Sequence, residues 1–190
     1  MMLQIGTLPI DTPRLSLRRF IVGDAPAMFR NWAGDPEVTR YLTWPTHRSA
    51  AETEEVVRGW VGEYACGSSY NWCMEWKETE EPVGSIGVVG FSERAGWAEI
   101  GYCLTRRPWG RGVMTEALTA VEDFLFREVG CSRVQAKHDV ENPASGRVMQ
   151  KSGMKQEGVL RGYGSDNRGD SVDLAVWSLL RSEWKAMGRG

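Results

Sequence analysis

The sequence has only two histidines, His47 and His138, and four cysteines, Cys66, Cys73, Cys103 and Cys131, with no C-x-x-C pair among them. That spacing offers no zinc-ligand set, so no metal is expected. Four reduced thiols fit a cytoplasmic protein. Long apolar runs are also missing. No stretch approaches the roughly 18 residues that a membrane helix needs. The opening Met1 to Gly6 lacks the basic and apolar regions of a signal peptide, so neither membrane nor export is expected. Excess positive charge is absent too. With 23 basic and 25 acidic residues the formal net charge is −2, which argues against nucleic acid as a partner. There is no internal repeat, low-complexity tract or Pro/Ser-rich linker. The 190 residues are read as one domain over 1–190, monomeric or homodimeric.

What is present is an ordinary globular composition, 42% hydrophobic and 25% charged, with nine tryptophans expected mainly in the core and in pocket walls. Residues 14–20 alternate apolar and polar, as a half-buried strand does. Asp24 is placed to cap a helix through Met28, Phe29 and Trp32, followed by a short helix over 36–42 and a third from Ser49 through 50–64. Strands are predicted over 70–76, 83–91 and 97–104. The apolar positions 114, 117, 118, 121, 124 and 125 mark an amphipathic helix over 113–129. A strand at 132–139, a helix at 144–152 and strands near 159 and over 172–180 complete the chain. This order predicts an α/β (α+β) fold: a mixed, mostly antiparallel central sheet of about seven strands with helices on both faces.

Two segments carry chemistry. Arg106-Arg107-Pro108-Trp109-Gly110-Arg111-Gly112 lies directly between a strand and the long helix. Two glycines let the backbone turn tightly beside the positive end of a helix, a place suited to phosphate or pyrophosphate. The Gly-Lys-Ser/Thr of a triphosphatase loop is absent, and so is the third glycine of the dinucleotide fingerprint. The second segment, Glu141-Asn142-Pro143-Ala144-Ser145, leads into Lys151-Ser152-Gly153-Met154. Pro143 at a first helical position makes Asn142 the N-cap and leaves the Ser145 hydroxyl for another task.

In combination these segments resemble the GNAT superfamily of N-acetyltransferases, and more closely its ribosomal-protein N-terminal acetyltransferase branch. The likeness also includes Thr12-Pro13-Arg14-Leu15, Glu99-Ile100-Gly101-Tyr102 and Glu116-Ala117, and spans about residues 11–180. It implies a sheet splayed between the strands at 97–104 and 133–139. It implies acetyl-CoA as cosubstrate, with the pantetheine arm along Tyr102, Cys103 and Leu104. The pyrophosphate would lie on the loop of Arg107, Trp109, Gly110, Arg111, Gly112 and Val113, with Asn142 and Ser145 also touching the cofactor. In many members a tyrosine four residues beyond the 145 position protonates the leaving thiolate. Here Met149 stands there, and Ser145 is the implied substitute.

Alternation along 97–104 puts Glu99 on one face with Trp97, Gly101 and Cys103. There it either takes the proton of an acceptor amine or pairs with an arginine near the chain start. Trp44 and Trp72 are candidates for the acceptor pocket, with Trp76 and the loop 162–169 beside them. Both histidines are read as surface or satisfied structural residues, and Cys103 as a buried, inert thiol. The acceptor is expected to be a primary amine, either a protein N-terminus or a small molecule. The competing reading is a non-catalytic acyl-CoA-binding or sensor domain on the same fold.

Overall fold

A computed structural model describes residues 2–190 of the chain, so Met1 of the opening segment lies outside the described residues. Among the described residues eight strands form one sheet: β1 (Ile10–Asp11), β2 (Leu15–Arg18), β3 (Asn71–Trp76), β4 (Pro82–Ser92), β5 (Trp97–Leu104), β6 (Arg133–Asp139), β7 (Lys155–Ser165) and β8 (Ser171–Leu180). Their spatial order is β1-β2-β3-β4-β5-β6-β8-β7. Every neighbouring pair is antiparallel except β5 and β6. The strand beyond the seven expected from sequence is β1, whose two residues are too short for an alternation signal.

The helices are α1 (Ala25–Met28), α2 (Pro36–Thr39), α3 (Ala50–Glu63), α4 (Val113–Phe124), α5 (Pro143–Ser152) and α6 (Arg181–Ala186). Two apolar clusters sandwich the sheet. On one side α4 buries Val113, Met114, Ala117, Leu118, Val121 and Phe124 against Ala98, Ile100, Val134 and Ala136 of the central strands. Each buried Val, Leu, Ile, Met or Phe among them contributes about 1.5–3 kcal/mol of burial. On the other side α1 and α3 enclose Phe20, Met28, Trp32 and Val57 with Cys73 and Cys103. The long helix read over 113–129 is α-helical to Phe124, and its last five residues widen into a π-helical turn.

Three sequence expectations change. Asp24 does not cap α1 through its side chain. Its carboxylate is buried and forms a bidentate pair with Arg18, at 2.8 Å to each guanidinium nitrogen. The stronger charge-assisted partner wins. Trp72 is fully buried, packs edge-on against Phe124 and donates its Nε1 hydrogen to Leu8 O at 2.7 Å. It belongs to the core and cannot line an acceptor pocket. The C-terminal helix α6 was not foreseen; it buries Trp184 against Phe126, ring centroids 5.2 Å apart. Among the described residues, no helix is long and apolar enough to cross a membrane.

Candidate active site

The sheet opens at its centre. The parallel register of β5 on β6 runs from Trp97–Arg133 to Ile100–Ala136 and ends there, although the strands continue to Leu104 and Asp139. Residues 101–104 remain paired to β4 on their other side. A wedge with backbone walls therefore separates 101–104 from 137–139, and it matches the splay expected from sequence.

Beside the wedge lies the glycine loop. Gly110 and Gly112 both adopt left-handed backbone, with φ of 75° and 74°. Residues with a Cβ adopt this conformation at a cost of roughly 1–2 kcal/mol. Within the loop, Trp109 N and Arg111 N are spent on turn bonds to Arg106 O and Pro108 O. The amides at the α4 N-terminus come before the first intrahelical bond, Glu116 N to Gly112 O, and remain for a ligand. The loop is tied down at both ends. Trp109 donates Nε1–H to Leu104 O at 2.9 Å, while its ring stays half exposed. Arg14 donates to Arg111 O and, through Nε, to Glu116 Oε2 at 2.6 Å; Thr12 donates to Glu116 Oε1 at 2.7 Å. Burial pushes the Glu116 carboxyl up, but these hydrogen bonds outweigh it and hold it below the usual carboxylate range. The motif at 12–15 thus braces the loop at 106–112.

On the α4–α5 side of the wedge stands Ser145. Asn142 caps α5, accepting from Ser145 N at 3.3 Å, with Pro143 at the first helical position. The Ser145 hydroxyl lies 2.8 Å from Tyr102 Oη. Burial drives the Tyr102 phenol well above its ordinary value, so it remains a proton-bearing donor. Met149, in place of the common tyrosine, is buried in the core. Only the backbone of Tyr102 is assigned a role from sequence; alternation puts its side chain on the face opposite Glu99, and the packing of α5 brings Ser145 to it.

On the opposite face stands Glu99. Its Oε2 accepts from Gln135 Nε2 at 2.7 Å and pairs with Lys137 Nζ at 3.0 Å. The partner is therefore a lysine of the adjacent parallel strand, not an arginine from the chain start. Both side chains are mostly buried, 17% and 19% exposed. The Lys137 ammonium also sits over the Tyr163 ring, 4.9 Å from its centroid. Lys137, Gln135 and Tyr163 escaped the sequence reading, since nothing local links them to Glu99.

Two cavities adjoin this face. One of about 570 Å³ is lined by Trp44, Trp60, Cys66, Ser85 and the backbone of Gly101–Cys103. The other, about 300 Å³, is lined by Arg40, Tyr41, Asp139, Glu141, Asp166 and Arg168. The segment 40–44 contributes to both, and Asn167 of the loop expected beside the pocket donates to Thr39 O at 3.1 Å. Trp44 lines the larger cavity, and Trp76 packs against the core. Cys103 is buried beside Ser85, and burial pushes its thiol up, which suits an inert residue. His138 accepts from Trp177 Nε1 and contacts Asp139 O, and His47 contacts Thr53; both are structural. Among the described residues no cluster of three or more metal-ligating side chains occurs.

Comparison with known proteins places this geometry. The family profile described as Acetyltransferase (GNAT) domain matches residues 14–155. The chain is 31% identical to the uncharacterized N-acetyltransferase p20 of Bacillus licheniformis over 91% of its own length and 96% of the relative's. It is 32% identical to the uncharacterized N-acetyltransferase YoaA of Bacillus subtilis, over 90% and 96%. Its fold superposes with a TM-score of 0.78 on RimL, a ribosomal L7/L12 alpha-N-protein acetyltransferase solved with coenzyme A, at 24% identity over 91% of this chain and 98% of that one. With the profile over most of its length and near full-length relatives above 30% identity, the chain belongs to the GNAT family of N-acetyltransferases.

Proposed function

We propose that the protein transfers the acetyl group of acetyl-CoA directly to a primary amine, a protein N-terminus or a small-molecule amine, within a ternary complex. The observation that carries this reading is the wedge: it opens on one face to the Tyr102–Ser145 pair and on the other to Glu99. The residues present suit acetyl-CoA. The side of residues 102–103 turned away from β4 has no strand partner and can hold an amide-bearing arm, and a left-handed glycine loop at a helix N-terminus can hold a pyrophosphate. Arg107 and Arg111 are exposed around that loop and supply positive charge. Bound there, acetyl-CoA supplies an activated acyl thioester.

Each side chain then has one task. Glu99 takes a proton from the acceptor amine, directly or through water; among the described residues no side chain donates to its Oε1. Ser145, hydrogen-bonded to Tyr102 Oη, passes the surplus proton of the attacking nitrogen to the departing sulfur, so both hydroxyls end the cycle protonated. Asn142 fixes the turn that presents Ser145. Trp44 and Trp60 form an apolar wall for the acceptor.

Initial rates with acetyl-CoA and amine both varied test the reading. Intersecting reciprocal plots support a ternary complex. Parallel plots overturn direct transfer, because they require an acetylated enzyme intermediate.

A further inference from the structure

We propose that Lys137 is an internal acceptor, acetylated on Nζ by the protein itself when no amine substrate is present. The inference rests on the acetyl-transfer reading above and adds to it a modification site. Three observations converge on this lysine. It is the first β6 residue beyond the last β5–β6 pair, Ile100–Ala136, so its backbone forms the wall of the wedge. The pairs Trp97–Arg133 and Glu99–Gln135 share one face, and Lys137 continues that series, on the face of Glu99. Its ammonium is already seated as an acceptor amine would be, 3.0 Å from Glu99 Oε2 and over the Tyr163 ring.

The β7–β8 hairpin provides that seat. The register of β7 on β8 slips between Leu160 and Gly164, and Tyr163 lies in the irregular stretch. Gly162 N is fixed there by Asp173 Oδ1 at 2.7 Å. A primary ammonium held between a carboxylate and an aromatic face is half desolvated before any substrate arrives. The position costs no diffusional search, since the amine belongs to the chain.

The chemistry balances without any further reagent. Glu99 takes one proton from the Lys137 ammonium. The neutral nitrogen forms its bond to the acetyl carbon, and the carbon–sulfur bond breaks with its electron pair on sulfur. The surplus proton on nitrogen is delivered to the thiolate by way of Ser145. The products are an amide at Lys137, the free CoA thiol and one proton passed from Glu99 to water. The lysine loses its charge, so the ion pair with Glu99 is dissolved.

The other four lysines, Lys77, Lys151, Lys155 and Lys185, are all exposed, whereas Lys137 is only 19% exposed. Spontaneous acetylation by a thioester follows exposure, so the order of modification separates it from a reaction carried out by the site. The experiment incubates the purified full chain with acetyl-CoA and no acceptor, and reads intact mass and peptide maps over time. Expected is a single acetyl group on Lys137 ahead of the exposed lysines, at a first-order rate unchanged on dilution. Glu99→Gln should slow it roughly 10²-fold or more, and Lys137→Arg should abolish the first acetyl group. Exposed lysines modified first, or a rate that falls on dilution, overturns the proposal. Calorimetric binding of acetyl-CoA and transfer to an added amine, on the same preparation, separate the two readings. Binding and transfer with Lys137 bare overturn the internal acceptor alone; absence of binding overturns the proposed function and the internal acceptor together.

Discussion

Tyr102 Oη lies 2.8 Å from Ser145 Oγ, bridging strand β5 and the first turn of α5 across one side of the wedge. Residue 149 on that helix is a buried Met, and the phenol beside Ser145 comes from the strand. Ser145→Ala is expected to lower turnover by roughly 10²-fold, within the range of general acid catalysis. Tyr102→Phe should cost less, and the double variant no more than Ser145→Ala alone, since the two hydroxyls act in series. Steady-state kinetics of the three variants check this. Strict additivity would show that the hydroxyls act independently.

Glu99→Gln keeps shape but removes the proton acceptor. Turnover at neutral pH should fall by about 10²–10⁴. Part of the loss should return in alkaline buffer, where more of the free amine is already neutral. Ser145→Ala should show no such recovery. A pH–rate profile for each variant separates the two roles.

The left-handed backbone of Gly112 makes a second kind of test. Gly112→Val forces a branched side chain into a conformation it rarely adopts, beside the Arg14 guanidinium. Acetyl-CoA at 100 times its dissociation constant should stabilise the wild type by about 2.7 kcal/mol. In the variant, at the same ligand concentration, that stabilisation should largely vanish in thermal unfolding while the unliganded protein still unfolds cooperatively.

Glu122 gives the fold a pH dependence. Burial, only partly offset by Ser152 and Arg189, lifts this fully buried carboxyl to about 7. A carboxyl whose folded value is raised binds its proton more tightly folded than unfolded. Its contribution therefore favours folding at low pH and is lost as pH rises from the unfolded value towards 7. Thermal unfolding from pH 5 to 8 should show a fall in stability that Glu122→Gln flattens.

Trp44 and Trp72 should behave oppositely. Trp72→Ala opens the core and should cost about 3–5 kcal/mol. Trp44→Ala should leave stability nearly intact and raise the KM for the acceptor amine. Denaturant unfolding and kinetics on both variants check the reassignment of Trp72.

Much of the site was legible because its signals are local. Two glycines two residues apart before an amphipathic helix mark the loop, alternation fixes the face of Glu99, and Asn142-Pro143 announces the cap that positions Ser145. What escaped depends on contacts distant in sequence. Lys137 meets Glu99 only through a parallel register that skips α4, and Tyr163 arrives through a bulged hairpin. Trp72 lies on a predicted strand and Trp44 between helices, but alternation does not say which face of that strand is covered, since burial is decided by the elements packed on it. Asp24 carried a true capping signal, but Arg18, on the preceding strand, competes for the same carboxylate.

The most direct measurement follows CoA thiol release from acetyl-CoA across a panel of primary amines and N-terminal peptides, with the acetylated product quantified by mass spectrometry. Expected is thiol release matched one for one by an N-acetylated amine, and strongly reduced in Glu99→Gln. Tight binding of acetyl-CoA with no transfer to any amine would contradict it and leave a CoA-binding module on an acetyltransferase fold.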